Sequence, residues 1–389
     1  MKKTIFLALV LAFSCRGPEV LEREGWEPSV HKALSTLIRD GGGASCAPYA
    51  VFDCDNTSII HDVSQTLMLY MIENLRFADA PELLFLGGIE DTSKLLEGWG
   101  MSAAEAGKLL SEEYGQLEEM RDGGMAIEDI RKSELYLDFR ARFLSFEEQL
   151  GLAYSYEDLC IWQPALLCGM SKAEARSLME ESIRHNLSIE PYEEEWTSPD
   201  GRFTGIAEIG LKVTQAMKNL HRSLVEHGID TYICSASLEE LVEVLACDPE
   251  IGFGMPPERV YGIRLAEGDS IIPAKQEGYP QPYKEGKVEN IKAFMAASHC
   301  ADGPVLVAGD SNGDVAMLTV FRGTRCSLIM DCGNDGPIGE LAAKARSSHN
   351  RGRFVVQPRR YARPGRSYSV FPAENHSHSI VAGGLEEMS

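Results

Sequence analysis

None of the ten cysteines forms a Cys-x-x-Cys pair, which excludes a zinc ribbon and a thioredoxin-type redox site. Long apolar stretches are also missing. The run from Thr4 to Phe13 is too short to cross a bilayer as a lasting helix. Positive charge is scarce, with 37 lysines and arginines against 59 acids and a net charge of -22. Such a surface repels nucleic-acid backbones and argues against a nucleic-acid partner. The same field repels a phosphate ester, so a phosphate site here has to be locally positive through a metal, a lysine or backbone N–H groups. There is no internal repeat and no low-complexity block, which removes solenoid and disordered classes. What is present, 44% hydrophobic and 25% charged residues over 389 positions, is the composition of a globular protein of two or three domains.

The N-terminus reads as an export signal. Lys2 and Lys3 precede the apolar run, which closes on Leu11-Ala12-Phe13-Ser14-Cys15. A small residue before a cysteine resembles a relaxed lipobox, so residues 1–16 are expected to be a signal peptide with Cys15 as the lipidated residue. Plain cleavage near Ser14 or Gly17 is the alternative. Loss of Cys15 to a lipid leaves nine cysteines, so at least one stays unpaired. Cys54 and Cys234 sit in apolar strand patterns and are expected as buried thiols. His376 and His378 lie in a polar tail and read as solvated rather than metal-binding.

Val30, Leu34, Leu37 and Ile38 have helical spacing, and Gly41-Gly42-Gly43 ends that helix. Tyr49 to Phe52 is a strand-like run followed at once by Asp53-Cys54-Asp55-Asn56-Thr57. Residues 63–209 are mostly helical in pattern (64–76, 102–120, 126–149, 172–186), with at most a short extended piece around 187–204. Strand and helix patterns then alternate: a helix over 210–227, a strand at 229–234, helices reaching 246 and over 287–298, a strand at 304–308, and a further one at 325–330. This alternation predicts an α/β doubly wound parallel sheet carrying an inserted helical domain, with ligands at the carboxyl ends of the strands. Residues 346–389 form a basic extension, including Arg346, Arg353 and Arg359. It reads as solvated or as neutralising the acidic body, with Phe354 to Gln357 as a possible edge strand.

The polar residues at the strand ends suit phosphoryl transfer to a carboxylate. Asp53 is placed to attack phosphorus once a cation offsets the repulsion. Asp55 is placed to give a proton to the leaving oxygen and later take one from water. Thr57 can hold Asp55 or the phosphate. The motif lacks the glycine and glutamate that complete an EF-hand loop. Ser235, read as opening a helix after Ile233-Cys234, offers a hydroxyl and N–H groups to phosphate oxygens, with a plain N-cap as the alternative and Ser237 as the rival cap. Lys287 is disfavoured at a helix start, which calls for an anionic neighbour, and Lys284 is its rival. Asp310 and Asp314, in Gly309-Asp310-Ser311-Asn312-Gly313-Asp314, offer oxygen ligands on a tight turn, as Mg2+ requires.

In this order the residues resemble the four motifs of the haloacid dehalogenase (HAD) superfamily. Val51 to Thr57 resembles the first motif, Ile233-Cys234-Ser235 the second, Lys287 the third, and Gly309-Asp310-Ser311-x-x-Asp314 the fourth. The resemblance implies Asp53 as nucleophile and Asp55 as acid/base. It implies phosphate contacts from Thr57, Ser235 and Lys287. It also implies Mg2+ held by the Asp53 carboxylate, the Asp55 carbonyl, Asp310 and Asp314. Asp55 points to a phosphatase or phosphomutase, since dehalogenases lack it. Asn56 departs from the glycine or small residue of many relatives.

The implied organisation is 17–62 as first part of the core, 63–209 as a C1-type cap, 210–345 as second part of the core, and 346–389 as the extension. The cap resembles that of bacterial phosphorylcholine and phosphoserine phosphatases, with Leu167-Cys168-Gly169-Met170 leading into the 172–186 helix. Asp62, nine residues after Asp53, matches a glutamate that contacts the substrate amine in the latter. An acidic N-cap is the competing role. Trp162 and Trp196 are candidates for an aromatic cage or for cap packing. The partner is thus expected to be a small phosphomonoester, and the location periplasmic or membrane-anchored in a bacterium. The competing functions are phosphomutase and a non-catalytic surface lipoprotein that binds a ligand with this fold.

Overall fold

The computed structural model describes residues 20–41, 46–78, 84–347 and 352–359. The expected signal segment with Cys15 lies outside them, as do Arg351, the arginines beyond Arg359, His376 and His378. The chain opens with α1 (Pro28–Arg39) and β1 (Tyr49–Phe52). Then come α2 (Val63–Asn74), the two-residue strands β2 (Leu95–Leu96) and β3 (Met101–Ser102), α3 (Ala103–Asp122), α4 (Ile127–Ile130), α5 (Glu134–Ala153), α6 (Tyr156–Ala165) and α7 (Lys172–Leu187). A hairpin of β4 (Tyr192–Thr197) and β5 (Thr204–Ile209) follows, then α8 (Gln215–Glu226), β6 (Asp230–Leu238), α9 (Glu239–Ala246) and β7 (Val260–Ile263). The chain continues through β8 (Leu265–Ala266), β9 (Ile272–Lys275), α10 (Glu285–Asn290), β10 (Leu306–Gly309), α11 (Val315–Val320), β11 (Cys326–Asp331), α12 (Pro337–Arg346) and β12 (Phe354–Pro358).

Six strands form one parallel sheet in the order β12-β11-β10-β1-β6-β7, so the expected doubly wound sheet is present. Alternate residues of β1 serve opposite faces. Ala50 and Phe52 pack with α1 and α8, whereas Tyr49 and Val51 pack against Val288, Ile291 and Met317. A strand buried on both faces needs the continuous apolar run seen in the sequence. The chain crosses from β1 to β6 on one side and returns to β10 on the other. Asp53, the end of β6 and Asp310 therefore share the crevice at a topological switch point.

Helices α2 to α7 bury an aromatic-rich core that includes Phe85, Phe139, Phe143 and Trp162 and runs on into residues of β6, α9 and β7. Ser102, Ser155 and Ser171 start α3, α6 and α7 with reciprocal capping boxes. The β4–β5 hairpin corrects the expectation of only a short extended piece near 187–204. Its six-residue strands pair in regular antiparallel register, but Glu193 to Glu195 hide the alternation that marks a half-buried strand.

Two features join distant segments. Cys46 and Cys300 form a disulfide across 254 residues, tying the approach to β1 to the helical stretch 285–298. Cys54 and Cys234 are buried free thiols, as anticipated. A loop of this length restricts the unfolded chain strongly. Replacing both cysteines with serine is expected to cost about 3–5 kcal/mol, read as a lower urea midpoint under non-reducing conditions. An unchanged midpoint would show that the bridge contributes nothing. The basic extension, read as solvated or as neutralising the acidic body, is in its described part bound to the core. Arg353 donates to the carbonyls of Leu318, Thr319, Phe321 and Thr324, and Arg346 pairs with Asp331.

Candidate active site

Asp53 leaves β1 and enters a tight five-residue turn, Cys54–Ser58. Asn56 has φ +52°, a left-handed conformation that asparagine tolerates and most residues resist. This accounts for the departure noted at that position: asparagine serves the turn where a glycine would. Its side chain accepts from the His61 N–H at 3.1 Å and closes the turn.

Lys287 is 2% exposed. Its ammonium donates to Asp53 Oδ1 at 2.5 Å and Asp314 Oδ1 at 2.6 Å. Burial opposes its charge, but Asp314 and Asp53 outweigh that and hold its pKa well above the usual lysine range. A lysine at a helix start thus finds its compensation in tertiary contacts. The rival Lys284 faces Glu157 of the cap instead. Asp314 Oδ2 accepts from the backbone N–H groups of Asp310 and Ser311 and from the Ser311 hydroxyl.

Asp53, Asp310 and Asp314 each offer an oxygen, and these atoms lie within 4.8 Å of one another. Burial, then Asp314, push Asp53 up to about 7, with Lys287 opposing. Asp310 is raised for the same two reasons. Among the described residues only Lys287 is ion-paired within this group, to Asp53 and Asp314, so the three buried carboxylates are short of positive charge. Hard oxygen donors in that setting fit a divalent cation such as Mg2+. The Asp55 carboxylate is not in this group, so any role for Asp55 as a ligand falls to its carbonyl.

Asp55 is oriented by three donors. The Val63 N–H reaches Oδ1 at 2.8 Å, and the hydroxyls of Ser237 and Ser235 reach Oδ2 at 2.7 and 3.2 Å. Burial, then Asp62, raise its pKa to about 7, a range suited to giving and taking a proton at neutral pH.

Two side chains expected at the phosphate have partners within the protein. Ser235 does not open a helix: β6 runs on to Leu238, and α9 starts without a side-chain cap. The Ser235 hydroxyl is fully buried and turned to Asp55. Ser237, not Ser235, lines the cleft. The polar Ser-Ala-Ser sequence looked like a strand end, but pairing with β7 breaks register there and resumes at Leu238. Thr57 is likewise buried and donates to Asp310 Oδ1 at 3.0 Å, so it orients a carboxylate rather than facing the cleft. Asp62 takes the N-cap role and also faces the cleft. Its Oδ1 caps α2 by accepting from the Ser64 and Gln65 N–H groups, and it lines the cleft.

The cleft encloses about 260 Å³ between the sheet edge and the cap. The cap supplies Tyr156, Leu159, Cys160, Trp162, Gln163 and Glu147. Trp162 lines it with its ring while its N–H donates to the Phe85 carbonyl. Trp196 lies in the cap interior under Arg140 and is no part of the cleft. Glu147 was absent from the sequence-based candidates. It accepts from Gln163 at 3.0 Å, and burial lifts it to about 7. Its only local signal was an acid on a helix, which is usually a solvated position.

No family model matches the chain. It is 25% identical over 345 residues to the phosphorylcholine phosphatase of Pseudomonas aeruginosa, covering 83% of this chain and 84% of that protein. A conserved protein of unknown function from Anaerococcus prevotii is 30% identical and superposes with a TM-score of 0.77, over 88% of this chain and 95% of that structure. The parallel-sheet core, the four motifs gathered at one cleft and these relatives agree: the chain belongs to the haloacid dehalogenase superfamily and is one of its phosphatases, acting on phosphate esters.

Proposed function

We propose that this phosphatase is a Mg2+-dependent phosphomonoesterase that works through an aspartyl-phosphate on Asp53. The observation that carries the reading is the buried cluster of Asp53, Asp310 and Asp314 at the floor of the cleft, with Lys287 paired to Asp53 and Asp314. Mg2+ held by these carboxylates supplies the charge that lets a carboxylate approach a phosphate dianion. Asp53 attacks phosphorus and the P–O bond to the leaving group breaks. Asp55 gives its proton to the departing alkoxide. In the second half, Asp55 takes a proton from water as that water attacks phosphorus. The acyl-phosphate P–O bond then breaks, releasing inorganic phosphate and restoring Asp53. Lys287 neutralises Asp53 and stays beside the oxygen that carries the phosphoryl group.

The substrate in this reading is a small ester whose leaving group carries an amine or quaternary ammonium, such as phosphocholine, phosphoethanolamine or phosphoserine. Support comes from the cleft's charge. Among the described residues Lys287 is its only lining cation, and it is committed to Asp53 and Asp314. Asp62 and Glu147 line the same space with no cation paired to either among the described residues. Tyr156 and Trp162 add aromatic side chains to the lining. The phosphorylcholine phosphatase relative has a substrate of this class.

Phosphate release from a panel of these three esters, sugar phosphates and para-nitrophenyl phosphate tests the assignment. A preference for sugar phosphates would overturn the substrate class. Transfer of the phosphoryl group without free phosphate would indicate a phosphomutase. Glu147→Gln is expected to raise KM for the cationic esters about tenfold, equal to about 1.4 kcal/mol of binding, and to leave KM for para-nitrophenyl phosphate unchanged. An equal effect on both substrates would remove Glu147 from recognition.

For location, we propose export with a lipid on Cys15. The Cys46–Cys300 bridge supports an oxidising compartment. Mass spectrometry of the mature N-terminus decides between lipidation and simple cleavage.

A further inference from the structure

We infer that Arg359 is a positioning residue for Asp310, acting through the turn that follows β1. The inference rests on the proposed reading of Asp310 as a metal ligand. Arg359 follows β12, the last described strand, and is 4% exposed. Among the described residues it forms no ion pair. Its N–H donates to the Asp331 carbonyl at 2.8 Å, which fixes it at the sheet edge. One guanidinium nitrogen donates to the Ile59 carbonyl at 2.6 Å and the other to the Thr57 carbonyl at 3.1 Å.

A buried guanidinium without a carboxylate partner carries a desolvation cost that few positions tolerate. Here its planar fork grips two carbonyls two residues apart in the turn that begins at Asp53. The grip bears on the metal cluster through short steps. Thr57, held at its carbonyl by Arg359, passes its hydroxyl to Asp310 Oδ1 at 3.0 Å. Ser58, between the two gripped carbonyls, donates to the Asp53 carbonyl at 2.6 Å. Arg359 lies outside the four motifs, 302 residues from Thr57.

Outer groups that orient metal ligands typically cost about 10–100-fold in metal affinity or activity when lost. The test is a calorimetric Mg2+ titration of the full-length protein beside thermal melts in EDTA. Arg359→Lys retains a charge but not the two-pronged geometry. It is expected to weaken Mg2+ binding about tenfold, and Arg359→Met by more. Thr57→Val, a conservative change, is expected to weaken Mg2+ binding as well, and Arg359→Lys combined with it to add little further. A staple with no bearing on the metal would instead lower the melting temperature and leave Mg2+ affinity within twofold of wild type. That result overturns the inference, as does unchanged affinity in Thr57→Val if the Arg359 variants fail to fold. Asp310→Asn separates this from the underlying reading. It should abolish binding, and if it does not, the assignment of Asp310 as a ligand has failed.

Discussion

Asp53→Asn is expected to lower turnover by about four orders of magnitude or more, as loss of a nucleophile does where the remaining groups act as a unit. Asparagine matches aspartate in shape but cannot form an acyl-phosphate. The fold should survive, because Lys287 keeps Asp314 at 2.6 Å. Para-nitrophenyl phosphate hydrolysis beside a thermal melt reads both quantities. Acid-quenched wild type incubated with labelled substrate should carry phosphate on Asp53, and the variant should not. Activity above about 1% of wild type in a folded variant would exclude Asp53 as nucleophile, since such a residue is normally worth far more than a hundredfold.

The second large effect comes from metal removal. EDTA is expected to abolish activity and, at pH 8, to lower the melting temperature. Saturation at about 100 times Kd contributes about 2.7 kcal/mol to stability. The effect should depend on pH with a defined sign. Burial and neighbouring acids raise Asp53 and Asp55 from the ordinary carboxylate range to about 7. A carboxyl group raised on folding holds a proton that the unfolded chain has already released. Metal-free stability therefore falls as pH rises from about 4 toward 7 and stays low above that. Mg2+ takes the place of those protons, so its stabilisation should grow across the same window. Melting temperatures with and without Mg2+ at pH 5.5 and pH 8 check this. A shift of equal size at both pH values would show that metal binding and carboxyl ionisation are not linked.

These two effects differ in how far the sequence announced them. Asp53, Asp55, Asp310 and Asp314 were legible because each sits on a short polar stretch that follows a strand-like apolar run. The chemistry of such stretches is fixed by near neighbours. Lys287 was legible only as a misfit at a helix start, and its compensation lies 234 residues away at Asp53. Ser235 and Thr57 were identified as important, but their partners were not. Where strand β6 ends depends on pairing with β7, which propensity alone does not reveal. Glu147 on α5 gave no usable signal, because an acid on a helix becomes a binding group only when that face meets a cleft.

By itself the sequence determined the parallel-sheet class, the order of the four motifs and the acids at the strand ends, since apolar periodicity and turn chemistry act over a few residues. Only the tertiary structure decided which distant groups share one space: the Cys46–Cys300 bridge, the grip of Arg359 on Thr57 and Ile59, and the uncompensated pair of Asp62 and Glu147. Those contacts join segments up to 302 residues apart. Their energetics come from a covalent bridge, from burial and from charge between segments that only the fold brings together, and no local pattern along the chain encodes them.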